Sequence, residues 1–388
     1  MTGGAASPAE SRTNTVTRLF RRWIQPALVA GMLSSTTPCL AQTPAGSGAA
    51  ASQTPPDDIP NLRVGATLFA DYTVAEAPAS VDADGNTIVA NAFNVGRASI
   101  NVTGRMSHFV SFRVTPDIVR ESGAGSSLTG SYAFRLKYAF AQFNLARGSD
   151  GSVSGTWVRF GLQQTPWVDF IDPVYRYRFQ GPTFEDREGF SSSSDAGVGF
   201  HANLPGNHGD VEAGIYNGET YARPEVNDQK AVMVRGTLRP LATHPTFRGL
   251  RITAFYDKDA YVRNAERTRA IVAVTFEHKY LNAAFDHLTA NDQTSGMTRA
   301  VQARGYTVWA TPRAAHGWEG LIRLDHLRPA GDASATRNHT VGGIAYWFPH
   351  QGGAATALLL DADVLRFTNA PVRQPTQRRF ALHALVNF

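Results

Sequence analysis

The last ten residues alternate polar or small side chains with apolar ones and stop on an aromatic residue, Phe388. On an extended strand they divide into an apolar face and a polar one: Phe380, Leu382, Ala384, Val386 and Phe388 against Arg379, His383 and Asn387. Such a strand separates lipid from water in an outer-membrane β-barrel, but it is also ordinary in a soluble β-sandwich. The C-terminal pattern therefore favours a β-rich fold and leaves two environments open.

The N-terminal residues have the pattern of a secretory signal. Arg18, Arg21 and Arg22 precede an apolar run over residues 23–33, and small residues follow up to Ala41. The run is too short to cross a bilayer, and no later segment approaches the roughly 20 unbroken apolar residues of a membrane helix. We therefore predict a signal peptide over residues 1–41.

Charge and cysteine content narrow the function classes. The chain has 37 Lys and Arg against 32 Asp and Glu, and the excess falls from +5 to +2 when residues 1–41 are left out. So small an excess gives no reason to predict nucleic-acid binding. Cys39 is the only cysteine and lies in the predicted signal, which excludes disulfides and cysteine metal sites from the rest of the chain.

Alternating runs bounded by turn residues fill the chain from residue 61 to its end, after a lead-in over residues 42–60 that is rich in Pro, Ala, Gly and Ser. Sixteen strands are predicted: 61–75, 92–105, 108–117, 132–145, 155–165, 195–204, 209–217, 229–241, 249–260, 267–279, 280–291, 298–311, 317–328, 338–349, 354–367 and 377–388. The pattern predicts a flexible periplasmic lead-in followed by one all-β domain over residues 61–388.

The links between the predicted strands indicate their arrangement. Links after even-numbered strands are short, as at Met106-Ser107 and Lys279-Tyr280, whereas most links after odd-numbered strands are longer, including 76–91 and 118–131. This alternation is typical of a transmembrane antiparallel up-and-down β-barrel with periplasmic termini, short periplasmic turns and long outer loops. We therefore predict such a barrel, with about 16 strands.

The longest link, residues 166–194, is the third extracellular loop and is called loop L3 below. Its aromatic residues are too many for a disordered segment: Trp167, Phe170, Tyr175, Tyr177, Phe179, Phe184 and Phe190. The loop must pack against something, and the lumen of a sixteen-stranded barrel can receive it. We predict that loop L3 folds inward and constricts the channel with its charged residues: Asp169, Asp172, Arg176, Arg178, Glu185, Asp186, Arg187 and Glu188.

Several segments resemble the phosphate-selective porin O and P family of bacterial outer-membrane porins. They include residues 158–167, 175–179 and 192–198, together with Phe109 to Asp117 and Lys137 to Phe143. The resemblance extends over essentially the whole mature chain. It implies a sixteen-stranded barrel, commonly trimeric, whose third loop constricts each pore.

Alternation also assigns side chains to the two faces of the first five predicted strands. Val64, Phe134, Leu136 and Phe140 are predicted to face lipid, and the lumen side holds Arg63, Arg105 and five further cations with Asp71 nearly alone as an acid. Those five form a predicted basic wall: Arg97, Arg113, Arg135, Lys137 and Arg159. A basic wall opposite an acidic loop creates a field across a narrow gap. Two interpretations remain, a hydrated lumen without solute specificity and a preference for anions.

The function predicted from these patterns is an outer-membrane porin for passive diffusion of small hydrophilic solutes or inorganic anions. Its expected surroundings are outer-membrane lipid and lipopolysaccharide, and its expected assembly is a homotrimer. No nucleotide-binding or zinc motif is present, so we expect no cofactor, no metal and no catalytic residue.

Two other function classes stay open at this point. A barrel enzyme of the lipase or protease type would have His383 and the run Ser191 to Ser194 available, and a secreted soluble β-protein could bind glycans. Five tryptophans near strand ends are predicted to belong to interfacial girdles: Trp157, Trp167, Trp309, Trp318 and Trp347.

Overall fold

Sixteen antiparallel strands close into a barrel in the computed structural model of the protein. The structure describes residues 59–123, 126–145, 155–260, 263–293, 299–331, 334–350 and 352–388. The predicted signal peptide and nearly all of the predicted lead-in lie outside these residues. Each strand pairs with the next along the chain, as expected of an up-and-down barrel.

The observed strands follow the predicted ones closely. They are β1 Asn61–Val81, β2 Thr87–Arg105, β3 Val110–Arg120, β4 Tyr132–Asn144, β5 Trp157–Gln164, β6 Ser194–Asn203, β7 Gly209–Tyr216, β8 Ala231–Leu238, β9 Leu250–Asp259, β10 Arg267–His278, β11 Leu281–Asp292, β12 Val301–Pro312, β13 Trp318–Arg328, β14 Thr336–Phe348, β15 Ala355–Thr368 and β16 Gln377–Asn387. Two helices, α1 Pro166–Tyr175 and α2 Phe184–Arg187, lie in loop L3. The predicted all-β barrel of about 16 strands is confirmed.

The barrel is closed by its two terminal strands. β16 pairs with β1 from Thr67 opposite Asn387 upward, and the Oγ1 of Thr67 donates a hydrogen bond to the Oδ1 of Asn387 at 2.7 Å. The backbone N–H and C=O of Phe388 both bond to Ala66 at 3.1 Å. The C-terminal residue therefore takes part in the wall itself.

The outer surface of the barrel is apolar. Val64 on β1, Phe160 on β5, Ile322 on β13 and Leu360 on β15 are each more than half exposed. An uncovered apolar band around a closed barrel suits contact with lipid chains. Among the described residues, no helix is long and apolar enough to cross a bilayer.

A β-bulge on β4 corrects the predicted position of Phe140. Thr115 of β3 pairs with Tyr138, but the next residue, Pro116, pairs with Leu136, so Lys137 is the extra residue in β4. The extra residue reverses the alternation beyond it. Phe140 is therefore 9% exposed and lies on the lumen side, where the Arg159 guanidinium stands 4.9 Å from its ring centre.

The first outer link is much shorter than the predicted 76–91, because the β1–β2 hairpin continues past its neighbours. β1 extends to Val81 and β2 begins at Thr87, so only residues 82–86 connect them.

The predicted interfacial girdle of tryptophans also needs correction. Trp157, Trp167 and Trp309 are buried inside the barrel and Trp347 packs on Tyr177, whereas Trp318 is exposed. Trp309 and Trp347 lie on the lumen side against the apolar side of loop L3, and Trp167 belongs to that loop. Trp157 instead stacks on His201 beside Arg159.

Candidate functional site: the constriction of the channel

Loop L3 leaves the wall after β5 and returns at β6. Gly161 in β5 has a φ of 123°, and a Cβ there would lie 2.3 Å from the carbonyl oxygen of Ala139, so the strand needs glycine at this position. Three residues later β5 ends, and Thr165 precedes α1 with extended φ and ψ. Pro166 occupies the first turn of α1, where its missing N–H costs nothing, and the helix ends at Arg176 in the left-handed region.

The apolar side of loop L3 packs on the lumen face of one sector of the wall. Trp167, Ile171, Tyr175 and Phe184 are at most 1% exposed. The wall residues of this cluster include Met233, Phe255, Ile271, Leu288, Trp309, Leu321, Val341 and Leu359, on β8 to β15. The predicted inward fold of the loop is confirmed, and it fills one side of the lumen.

Hydrogen bonds from the wall to the loop backbone fix this position. The Arg235 guanidinium donates to the carbonyl of Pro166 at 3.0 Å, and the Asn282 amide donates to the carbonyl of Val174 at 3.1 Å. Arg323 donates to the carbonyl of Pro182 at 2.7 Å and to the Tyr175 hydroxyl at 3.2 Å. Three of these bonds satisfy loop carbonyls that packing removes from water, and the fourth is accepted by the Tyr175 hydroxyl.

Ion pairs hold the charged end of loop L3 against β13 and β14. Arg187 lies 2.6 Å from Asp325, and Glu188 lies 2.5 Å from Arg337. Arg176 reaches Glu319 at 3.2 Å. These three loop residues, predicted for the constriction, therefore contact the wall behind the loop.

Glu185 makes a different contact with the wall. Its side chain is fully buried and interacts with the equally buried carboxyl of Asp286 on β11. Two adjacent carboxylates cannot both stay ionised away from water, so one proton must be shared between them. Burial raises the pKa of Glu185 above its ordinary value.

The remaining loop charges face the β2–β5 wall. Arg178 binds Asp172 at 3.2 Å and Asp186 at 2.7 Å within the loop, and Asp169 binds Arg159 of β5 at 3.0 Å. Burial raises the pKa of Asp172 above its ordinary value despite the nearby Arg178. Loop L3 thus presents a largely paired charge set to the channel.

The predicted basic wall is assembled on β2 to β5 but partly neutralised. Arg97 lies 3.2 Å and Lys137 3.7 Å from Asp117 of β3, an acid that the predicted wall did not include. Arg135 donates to the Tyr221 hydroxyl at 2.9 Å, and Arg113 donates to the side-chain Oδ1 of Asn101 at 2.9 Å. Arg113 and Arg135 are thus held by neutral partners.

Below loop L3, at the end of the barrel with the short turns, lies a cavity of about 450 Å³. Four arginines line it: Arg63, Arg105, Arg113 and Arg159. Arg63 and Arg105 form no ion pair with any described residue, whereas Arg159 is paired with Asp169. A second cavity of about 520 Å³ at the same end is lined by Arg176, Arg248, Lys279 and Arg313 together with the acid Glu277. Cations therefore outnumber acids in these two cavities.

Sequence reasoning missed Arg248, Lys279 and Arg313 because they lie at strand ends and turns, where alternation assigns no face. A signal was present, however. All three lie in even-to-odd links, which are the turns at the periplasmic end. Grouping the turn residues by barrel end would have brought them together.

Neither a family model nor a curated protein matches the chain. Solved structures do. OmpT of Vibrio cholerae, as a mutant lacking loop L8, superposes with a TM-score of 0.58 at 13% identity, over 85% of this chain and 99% of that one. The protein has the fold of a bacterial outer-membrane barrel.

Two further structures share that fold. OmpF of Salmonella typhi, in complex with daunomycin, gives a TM-score of 0.56 at 12% identity over 84% of this chain and 97% of that one. The outer-membrane channel DcaP of Acinetobacter baumannii gives 0.54 at 11% identity over 85% and 97%. These likenesses concern the barrel. The narrower resemblance to the phosphate-selective porin O and P family stays a prediction.

Proposed function

We propose that the protein is a passive outer-membrane channel for small hydrophilic solutes, with a preference for anions. The observation that carries the proposal is the arginine-lined cavity on the periplasmic side of loop L3, where Arg63 and Arg105 have no acidic partner among the described residues. Unpaired guanidinium groups raise the local concentration of anions and offer them several donors at once.

The predicted basic wall contributes less to this preference than its number of cations suggests. Asp117 offsets Arg97 and Lys137, and Asp169 offsets Arg159. Among the lumen cations of β1 to β5, those without an acidic partner in an ion pair with a described residue are Arg63, Arg105, Arg113 and Arg135. Cations spread in this way do not form a cluster that would bind phosphate more tightly than chloride. We therefore expect millimolar phosphate to reduce chloride current only weakly.

Reversal potentials in a KCl gradient across planar bilayers test the anion preference. We expect modest anion selectivity at low salt that fades toward 1 M, where the Debye length falls to about 3 Å. Replacing Arg63→Gln and Arg105→Gln together should move the reversal potential toward cation preference. Arg223→Gln, which removes a cation from an exposed outer loop, should leave it unchanged.

Cation selectivity of the wild type would contradict the anion preference and leave the channel intact. A folded protein that never conducts would contradict the channel itself.

The proposal includes no enzymatic activity. Ser193 and Ser194, from the run that could have supplied a nucleophile, are at most 5% exposed, and His383 lies 3.2 Å from Asp361 on the barrel wall. If the protein hydrolyses lipid or peptide and this activity disappears on replacing one serine of residues 191–194, the proposal of a channel without enzymatic activity is wrong.

We further propose that the barrel assembles as a homotrimer in outer-membrane lipid and lipopolysaccharide. One solved form of Vibrio cholerae OmpT with this fold, described as a trimer, has a TM-score of 0.56 at 11% identity. The apolar outer band supports the lipid contact. Sedimentation of the detergent-folded protein at the mass of a monomer would contradict the trimer.

A further inference from the structure

Three arginines lie on the lipid side of the barrel, at the extracellular ends of β12, β13 and β15. Even-numbered residues on these strands point outward, as the exposed Ile322 and Leu360 show. Arg304, Arg328 and Arg366 share that parity and are exposed. The links that precede β12 and follow β13 and β15 are outer links, so the arginines stand at the outer rim. We call these three residues the rim cluster.

The rim cluster lies one apolar band above the periplasmic edge of the barrel. On β13, the outward face begins at the exposed Trp318 and ends at Arg328. A strand that rises about 3.3 Å per residue at a tilt of about 40° covers about 25 Å over this stretch, which is the height of a lipid-facing band. Just below the cluster, Tyr306 stacks on His326 with ring centres 5.1 Å apart. Aromatic side chains at this height mark the boundary between acyl chains and headgroups.

Two members of the rim cluster lie directly opposite each other. Arg304 of β12 pairs with Arg328 of β13, so their Cβ atoms are about 5 Å apart on the same face. Like charges at such positions destabilise a sheet. Arg304 donates from Nε to the Oε1 of Gln302 at 2.6 Å, but neither guanidinium forms an ion pair with any residue that the structure describes. Their repulsion therefore has no counter-charge in the described part of the chain.

The third arginine extends the positive charge along the rim. Arg366 of β15 pairs with Asn338 of β14 and forms no ion pair with a described residue. All acids on β12 to β15 have the opposite parity and point to the lumen side: Glu319, Asp325, Asp361 and Asp363. The positive charges of the rim cluster are thus left for the surroundings of the barrel to balance.

The spacing of the arginines favours an anion with two charged groups. A guanidinium offers two parallel donors to the oxygens of one phosphate. Arg366 lies two strands away from Arg328, or about 10 Å across the sheet, so it cannot share a phosphate with the facing pair. A phospholipid headgroup with one phosphate and its own ammonium group would leave one part of the cluster unmatched. A headgroup with two phosphates can reach both parts.

We propose that the rim cluster binds the diphosphorylated headgroup of an outer-leaflet glycolipid, the lipid A part of lipopolysaccharide. One phosphate lies between Arg304 and Arg328 and turns their repulsion into attraction, and the second lies at Arg366. The acyl chains then lie along exposed apolar side chains below the cluster, such as Leu324 and Leu358. This inference rests on the proposed lipopolysaccharide surroundings of the barrel and gives them a defined site.

Binding of diphosphoryl lipid A to the full chain in detergent micelles tests this site. The double variant Arg304→Gln with Arg328→Gln should bind the lipid at least about tenfold more weakly than the wild type, since it loses both charged donors to one phosphate. Millimolar inorganic phosphate should not displace the lipid, because phosphate alone lacks the acyl-chain contacts.

Lys258→Gln is the matched control. It removes an exposed outward cation at the same rim, but Lys258 lies between Val232 of β8 and Thr268 of β10 rather than opposite another cation. The affinity for lipid A should change by less than about twofold.

Thermal unfolding gives a second readout and confirms that the variants fold. Without lipid A, the double variant should unfold at the same temperature as the wild type or a higher one, because the repulsion between Arg304 and Arg328 is gone. Lipid A should then raise the unfolding temperature of the wild type more than that of the double variant, since only the wild type has the facing pair. An equal rise in both proteins would contradict the site.

Three binding results would also overturn the site: equal affinity of the wild type and the double variant, an equal loss in Lys258→Gln, or displacement of lipid A by millimolar phosphate. Conductance of the same preparations tests the channel separately, because the rim cluster faces away from the lumen. Conduction without lipid A binding at the rim cluster defeats the site alone. Binding of lipid A there without conduction defeats the channel alone.

Discussion

The wall of β1 to β5 and the wall of β8 to β15 use the same strand geometry for opposite purposes. On the first, the lumen side carries arginines such as Arg63 and Arg113 and borders the channel. On the second, it carries Ile271, Leu288 and Leu359, because loop L3 covers it. Apolar and polar side chains thus alternate along a strand only where water reaches its lumen face. Where a loop lies between wall and water, apolar side chains occupy part of the lumen face as well as the lipid face.

The largest expected effect comes from removing the cation that ties the covered wall to the loop. Arg323 is 1% exposed and binds Asp325, Tyr175 and the carbonyl of Pro182. Arg323→Leu leaves Asp325 buried with less compensation, at a cost of about 3 kcal/mol. Loop L3 should loosen, and the single-channel conductance should rise and become noisy.

Arg378→Ala is the matched control for that variant, because its ion pair with Glu76 is half exposed and contributes about 0–1 kcal/mol. Unchanged conductance in Arg323→Leu, with the loop still protected from protease, would show that apolar packing alone holds the loop.

The second effect tests which side of β4 faces water. Phe134→Lys places a cation in the lipid-facing band and should destabilise the barrel by about 2–4 kcal/mol. Phe140→Lys points the same cation into the lumen beside Arg159 and should cost about 1 kcal/mol through the lost ring contact. Urea unfolding in detergent measures both. Equal costs would mean that the bulge at Lys137 does not reverse the strand.

The smallest effect is a pH dependence of loop docking. The pKa of Glu185 is raised in the folded loop, so docking favours its protonated form. The stabilisation is complete below the unfolded value near 4.3 and is lost as pH rises through the folded value. Protease sensitivity of loop L3 should therefore increase with pH, and Glu185→Gln should weaken this dependence.

Glu266→Gln, which changes an exposed loop carboxyl in the same way, should keep the pH dependence. A loop whose sensitivity is the same at every pH in the wild type would exclude a shared proton at the Glu185–Asp286 contact.

Strand positions were predictable because lipid imposes alternation over many consecutive residues. β10 was predicted at 267–279 and is observed at Arg267–His278. Beyond the lipid band this constraint ends, which is why the top of the β1–β2 hairpin was taken for a loop. The bulge at Lys137 was hidden for another reason. It depends on how two strands pair, and one strand's sequence does not contain that information.

The constriction was predictable in its position and less so in its pairings. A long aromatic link after the fifth strand sufficed to place loop L3 in the lumen. Which loop charges face the channel depends on the partner across the lumen. Arg176, Arg187 and Glu188 find theirs on β13 and β14, more than 130 residues away. Asp117 was missed because its partners Arg97 and Lys137 lie on two different strands.

The closure of β1 on β16 constrains how the chain reaches its native state. The pair Thr67 and Asn387 joins residues 320 positions apart, whereas each hairpin joins residues a few positions apart. Closing so long a segment costs roughly 4 kcal/mol more entropy than closing a hairpin of about five residues, so local hairpins form first. The final pairing is then the rate-limiting search. Until it succeeds, two unsatisfied strand edges must be kept apart from those of other chains.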